Sequence, residues 1–350
     1  MDCIIAYFPE FKKNAQGEIA AIDPKAKFRP LGLQLSFFSG SLEFETFAKR
    51  LKDSSPIFVR HIMPVHEAGI VQNQKEEDLQ MLLDKASKIA CLKPGDLFSV
   101  QCRIVEAKLD YKAKDIEVLL GTHFEKQGCI PTFSDKELQS GETYVISVLI
   151  FGGEYFLGFS RSTDNLNSHC DEYRVMARAG EVAVSRAENK LKEAIHKFGV
   201  KVTGAGNALD IGAAPGGWSN VLASYGFEVF AVDPGELHKS LYENKKIRHY
   251  RDRIENVRFE ESFELVVCDM NTDPQITAEI MVGLSEKLAE EGLAIITLKL
   301  PFYDVERSLG ESAEILKRAY DILAVKNLTH NRREVTALLK KRHGEKEAPL

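Results

Sequence analysis

The sequence predicts an α/β protein: a doubly wound sheet in the C-terminal half, preceded by two smaller α+β units. Three observations lead there. From Val184 onward, short apolar runs alternate with helix-length stretches, the pattern of strands joined by crossover helices. The segment Ala208 to Trp218 reads as strand, Gly/Pro-rich turn and helix start, the place where an open α/β sheet takes its ligand. Finally, 350 residues exceed one domain, so two or three units with separate cores are expected.

In chain order, residues 1–70 carry apolar runs at Cys3 to Phe8, Leu33 to Phe38 and Ile57 to Ile62, with helical stretches at Lys12 to Ile22 and Leu42 to Leu51. That order suggests a small β-α-β-β-α-β sandwich. Residues 71–162 follow as a second unit, with helices at Leu79 to Ala90 and Ala113 to Phe124 and a strand at Leu97 to Arg103. It ends in a strand pair, Tyr144 to Phe151 and Tyr155 to Ser160, turned through Gly152-Gly153-Glu154. The polar residues of 163–183 form the expected linker. In 184–350 the strand candidates are Ala208 to Ile211, Glu228 to Val232, Ile247 to Tyr250, Leu265 to Cys268, Leu293 to Leu298, Ile322 to Lys326 and Glu334 to Lys340.

Composition excludes several classes. With 44% hydrophobic and 28% charged residues and 12 prolines, the chain is globular rather than disordered. No basic-then-apolar leader and no apolar run of membrane-spanning length occur, so a cytoplasmic protein with no membrane association is expected. The six cysteines are scattered without a C-x-x-C pair and read as reduced thiols packed in cores, with no metal site. A net charge of −6 argues against indiscriminate coating of nucleic acid, which needs excess Lys and Arg. Local basic stretches remain, at Arg174 to Val200 and at Asn331 to Arg342; either is a solvated face or a contact for RNA.

The turn Gly212-Ala213-Ala214-Pro215-Gly216-Gly217 follows the strand that contains Asp210. Its spacing is not G-x-G-x-x-G, so the pyrophosphate cradle of a dinucleotide enzyme is absent and a dehydrogenase is a minor alternative. Asp233 ends the next strand, where a carboxylate accepts hydrogen bonds from ribose hydroxyls. An adenosine-bearing ligand without a required pyrophosphate fits better. Asp252, after Ile247 to Tyr250, either faces an adenine amino group or caps a turn.

Asp269 directly follows the strand Leu265 to Cys268, and Lys299 ends the apolar run Leu293 to Leu298. Both project into one crevice, where an unpaired ammonium would be costly to bury; the bland alternative is a lysine that snorkels to the sheet edge. Lys190, on the helical stretch Ser185 to Phe198, and Glu334, opening the last strand, are individually ordinary.

As a set, Ser185 to Leu191, Leu209 to Trp218, Val267-Cys268-Asp269-Met270, Leu298-Lys299-Leu300-Pro301 and Arg333-Glu334-Val335 resemble, in order, the motifs of the FtsJ-type ribose 2′-O-methyltransferases. The resemblance implies a Rossmann-like S-adenosylmethionine-dependent methyltransferase domain of seven strands, the last antiparallel. It places a catalytic Lys-Asp-Lys-Glu tetrad on Lys190, Asp269, Lys299 and Glu334. Cofactor contacts fall on Ser185, Asp210, Gly212, Ala214, Pro215, Gly216, Gly217, Asp233, Asp252 and Asp269. Within the family the chain looks like members that act on a cytidine ribose of large-subunit ribosomal RNA and carry an N-terminal ferredoxin-like unit and a THUMP RNA-binding domain. The pair ending at Leu157-Gly158-Phe159-Ser160 looks like the close of a THUMP domain. Ala214 stands where those members have Cys, and Arg333 where they have an acid; these departures bear on the target nucleotide.

The resemblance further implies S-adenosylmethionine as cofactor and RNA, ribosomal RNA first, as partner, with a monomer favoured. Lys299 is expected to take the hydroxyl proton or aim its lone pair, with burial and Lys190 lowering its pKa and a charge-assisted hydrogen bond to Asp269 opposing that lowering. Asp269 is expected to hold Lys299, Glu334 to orient Lys190, and RNA to cross Lys190, Lys192 and the basic C-terminal strand. Two rival readings use the same fold: methyl transfer to a non-RNA hydroxyl, and a non-catalytic RNA-binding or ribosome-assembly factor.

Overall fold

Residues 1–132, 137–138, 141–166, 187–202 and 204–342 are described by the computed structural model, which divides into two units, Met1–Glu172 and Tyr173–Leu350. Among the described residues no helix is long and apolar enough to cross a membrane.

The first unit contains two sheets. One is built from β1 (Asp2–Ala6), β2 (Lys27–Leu31), β3 (Leu35–Ser39) and β4 (His61–Val65), with α1 (Lys12–Ile22) and α2 (Phe44–Asp53) between strands. The strand order is β2-β3-β1-β4, every pair antiparallel. Strand β2 has no counterpart among the expected runs: it is a mostly exposed edge strand containing Pro30, which an edge tolerates because one side of its backbone needs no partner. The expected run Ile57 to Ile62 begins as a strand only at His61. The backbone N–H groups of Ile57, Phe58 and Val59 donate instead to the Glu18 carboxylate, at 2.6 to 3.1 Å.

The second sheet takes β5 (Glu67–Ile70), β6 (Leu97–Val105), β7 (Ile130–Pro131), β8 (Tyr144–Phe151) and β9 (Glu154–Arg161) in the order β5-β9-β8-β6-β7, with α3 (Lys75–Ile89) and α4 (Ala113–Lys126). The β8–β9 hairpin turns at Gly152-Gly153, as expected from the sequence. Helices α3 and α4 bury Leu82, Ala86, Ile116, Leu120 and Phe124 against Phe98, Cys102, Ile146 and Leu157. A smaller cluster of Ile4, Leu31, Met63, Leu149 and Phe156 draws on both sheets.

The second unit is a seven-stranded sheet: β10 (Asn207–Ile211), β11 (Glu228–Val232), β12 (Ile247–Tyr250), β13 (Phe263–Cys268), β14 (Leu288–Lys299), β15 (Tyr320–Lys326) and β16 (Glu334–Lys341). Their order is β12-β11-β10-β13-β14-β16-β15. Strands β10 to β14 run parallel, and β16 is antiparallel to both β14 and β15. Helices α5 (Ala187–Lys197), α6 (Gly217–Tyr225), α7 (Pro274–Gly283) and α8 (Val305–Leu316) complete it. Chain order reverses at β10, so the crevice outside the carboxyl ends of β10 and β13 is the switch point of this sheet. Leu191, Ala194 and Ile195 of α5 and Trp218, Val221 and Leu222 of α6 pack on Ala208, Val229, Leu265, Val267, Ile295 and Leu338.

Candidate active site

Period-2 alternation decides which strand residues face α5. Val267 of β13, Ile295 of β14 and Leu338 of β16 share one core face with α5. Two residues further along each strand and its exit, the same face carries Asp269, then Thr297 and Lys299, then Thr336 and Glu334. Register brings the last two together, because Lys299 is the cross-strand partner of Glu334. Helix α5 places Lys190 over them, one residue before the buried Leu191.

The four side chains form a closed ring of alternating charge. Lys190 Nζ donates to Asp269 Oδ1 and Oδ2 at 2.9 and 2.8 Å and lies 2.6 Å from Glu334 Oε1. Lys299 Nζ donates to Asp269 Oδ1 at 2.8 Å and to Glu334 Oε2. Lys190 and Glu334 are buried, and the ring's summed charge is zero, which makes burial tolerable. The Thr297 hydroxyl adds a 2.7 Å bond to Asp269 Oδ1. Sequence reading passed over Thr297; the signal was a polar residue in the apolar run of β14, two positions before Lys299.

One expectation is corrected here, and the balance of effects on Lys299 is decided. Each lysine meets both carboxylates, instead of one acid serving each. Burial alone pushes the Lys299 ammonium down, but Asp269 and Glu334 outweigh it and hold its pKa above the ordinary lysine value. Lys299 is therefore charged at neutral pH. For Asp269, burial opposes ionisation, and Lys190 and Lys299 overcome it, holding the carboxyl below its usual range.

Beside the ring lies a crevice of about 400 Å³, within the range of small-molecule sites. Gly212, Ala214, Asp233, Asp252 and Asp269 line it, with Met270, Ile276 and Ile280 as an apolar wall. Asp233 Oδ2 accepts from Ala214 N at 3.1 Å and Oδ1 from Gly235 N at 2.6 Å, which ties the glycine loop to the end of β11. Asp252 borders the crevice and also closes a turn, accepting from Arg253 N at 2.7 Å and Asn256 Nδ2 at 2.8 Å. Gly212 has φ +75°, and a Cβ there would stand 2.8 Å from Met270 Cγ. Gly216, at φ +106°, leaves 2.3 Å between a Cβ and Leu241 Cδ1. An adenosine-bearing molecule fits these linings: carboxylates at the strand ends, a loop with no room for side chains, and an apolar wall.

Other expected contacts lie elsewhere. Asp210 is buried in β10 and accepts from Ser219 Oγ at 2.6 Å, away from the crevice lining; burial raises its carboxyl to about 7. Pro215, Gly216 and Gly217 shape the turn into α6 without lining the crevice; Pro215 O accepts from His238 N at 2.8 Å. Ser185 lies outside the described residues. The expected RNA-contacting lysines are engaged: Lys190 in the ring, Lys192 3.9 Å from Glu188, Lys340 2.7 Å from Glu291 and Lys341 3.6 Å from Glu286.

A strand-end tetrad of alternating charge thus stands beside an adenosine-sized crevice in an α/β sheet, and comparison with known proteins names the class of enzyme. Residues 183–313 match the FtsJ-like methyltransferase family; Glu334 falls beyond the matched segment. Curated relatives named "Ribosomal RNA large subunit methyltransferase M" are 32% identical over 317 residues in Shewanella denitrificans, covering 84% of this chain and 82% of the relative, and 30% identical over 318 residues in Shewanella oneidensis, covering 84% and 83%. The chain belongs to this FtsJ-like family of methyltransferases. Among solved structures, TrmN from Thermus thermophilus aligns at 13% identity with a TM-score of 0.40, over 98% of this chain and 100% of that one.

Proposed function

We propose that the protein is an S-adenosylmethionine-dependent RNA ribose 2′-O-methyltransferase acting in the cytoplasm on a cytidine ribose of large-subunit ribosomal RNA. The observation that carries this reading is the closed Lys190–Asp269–Lys299–Glu334 ring at the mouth of the crevice. Gly212, Ala214, Asp233 and Asp252 would hold the cofactor, which supplies an electrophilic sulfonium methyl when bound. A ribose hydroxyl is a weak nucleophile, so the chain's task is mainly alignment. Lys299 carries that task as an ammonium: it donates to the 2′-oxygen and fixes the direction of its lone pair, while the proton that the hydroxyl sheds as the methyl arrives passes to water in the open crevice. Asp269 and Glu334 keep Lys299 in place, and Lys190 bridges the two acids and offsets their mutual repulsion. The N-terminal unit serves as the RNA grip, its four-stranded sheet as a ferredoxin-like domain and its five-stranded sheet as a THUMP domain.

Lys299→Ala is expected to lower methyl transfer to ribosomal RNA by at least about 100-fold, the scale of one lost transition-state donor, while cofactor affinity by calorimetry stays within about threefold. Loss of both together would make Lys299 a structural residue and overturn its assigned role.

A further inference from the structure

We infer that Phe302 and Tyr303 form a stacking platform for an unpaired RNA base next to the methylated ribose. The two rings are 78% and 84% exposed, the most exposed large apolar side chains among the described residues. They follow Pro301 beyond the carboxyl end of β14, three and four residues after Lys299. The start of β16 lies alongside: Lys299 pairs with Glu334, and Leu300 N donates to Arg333 O at 2.9 Å. The rings therefore stand at the rim of the site, just outside the charged ring.

Arg333 prepares one of them. Its Nε and Nη2 donate to Pro301 O at 3.0 and 2.8 Å, and the guanidinium lies 4.3 Å from the centre of the Phe302 ring. The doubly bonded carbonyl fixes the cation, so one face of Phe302 is covered by positive charge while the side chain as a whole stays open. Arg332, the residue before it, is exposed and adds a second cation to the same segment. A ring stacked on a fixed arginine, with a further arginine for phosphate, is the combination that takes a nucleobase and its backbone.

Charge selects RNA over an apolar protein partner. The chain is net −6, and basic residues along the C-terminal strand are tied to acids, Lys340 to Glu291 at 2.7 Å among them. The Phe302 rim thus joins exposed aromatic surface to positive charge. A ribose reaches the charged ring only when its nucleotide leaves the stack, and a protein ring beside it replaces the contact that the neighbouring base loses.

The inference rests on the RNA-methylation reading and adds where the RNA is held. The test uses the full chain, deproteinised large-subunit ribosomal RNA from cells lacking this protein, and radiolabelled S-adenosylmethionine. Phe302→Ala and Tyr303→Ala are each expected to raise KM for RNA on the order of 10- to 100-fold, with cofactor affinity and melting temperature unchanged. Phe302→Trp keeps the wild-type KM, whereas Phe302→Leu behaves like alanine. An unchanged KM, or a leucine variant equal to wild type, overturns the platform. So does a defect seen only with ribosomal particles, which would give the rings to a ribosomal protein. A wild-type protein that binds S-adenosylmethionine yet methylates no ribosomal RNA refutes the underlying reading, and this inference with it, before any variant is compared.

Discussion

At the residue scale, the charge on Lys299 decides between two mechanisms. As a general base it would have to lose its proton near neutrality, and an ordinary lysine at about 10.4 is already a poor base there. Two carboxylates within hydrogen-bonding reach move it the wrong way for that role. The sign is the same in stability. A raised lysine pKa contributes stability that is complete below the unfolded value and is lost as pH rises through the folded value. The depressed Asp269 contributes stability that is complete above its unfolded value, about 4, and is lost as pH falls through the folded one. Between about pH 5 and pH 9 both stay ionised, so single-turnover methyl transfer should show no limb belonging to Lys299 in that window. A rate that climbs tenfold per pH unit there in wild type, but stays level in Lys299→Arg, would restore the general-base role.

At the element scale, legibility followed burial. Strands β10, β11 and β13 are short, largely apolar and buried, so their sequences admit little but a central strand. Strands β2 and β5 escaped because edge strands are half exposed and need neither alternation nor β-branched residues: one contains Pro30, the other reads Glu-Ala-Gly-Ile. The tetrad was legible only as a set of motifs, since Lys190 and Glu334 lie 144 residues apart and their 2.6 Å contact depends on β16 returning antiparallel beside β14. Asp210 went the other way: its loop neighbours suggested a cofactor contact, and strand alternation turned it inward to Ser219. The loop after β10 carries its own prediction. In Gly212→Ala the new Cβ meets Met270 Cα and N at 3.1 Å, backbone that cannot swing aside, at a φ of +75°. The strain, about 1–3 kcal/mol, falls next to Asp269. Cofactor affinity by calorimetry should weaken at least about tenfold, in proportion to that strain; unchanged affinity would mean that the cofactor does not approach this turn.

At the scale of the whole molecule, the proposed chemistry and the proposed RNA grip fall in units with separate cores. The ring, the crevice and the Leu191–Trp218 core all belong to Tyr173–Leu350, while Met1–Glu172 closes its own clusters around Phe124 and Ile4. In the C-terminal unit the two lysines of the last strand, Lys340 and Lys341, each face a carboxylate within the unit, Glu291 and Glu286, which offsets part of their attraction for a polyanion. An RNA-binding module of the kind proposed for Met1–Glu172 would raise the local concentration of RNA at the site, an effect worth roughly 10²- to 10⁴-fold without any new contact at the reacting atoms. A fragment of residues 184–350 is therefore expected to bind S-adenosylmethionine within about threefold of the full chain, because it keeps the whole crevice. Its kcat/KM for deproteinised ribosomal RNA should fall by at least about 100-fold, almost entirely through KM. Equal efficiency of fragment and full chain would remove the N-terminal unit from substrate capture.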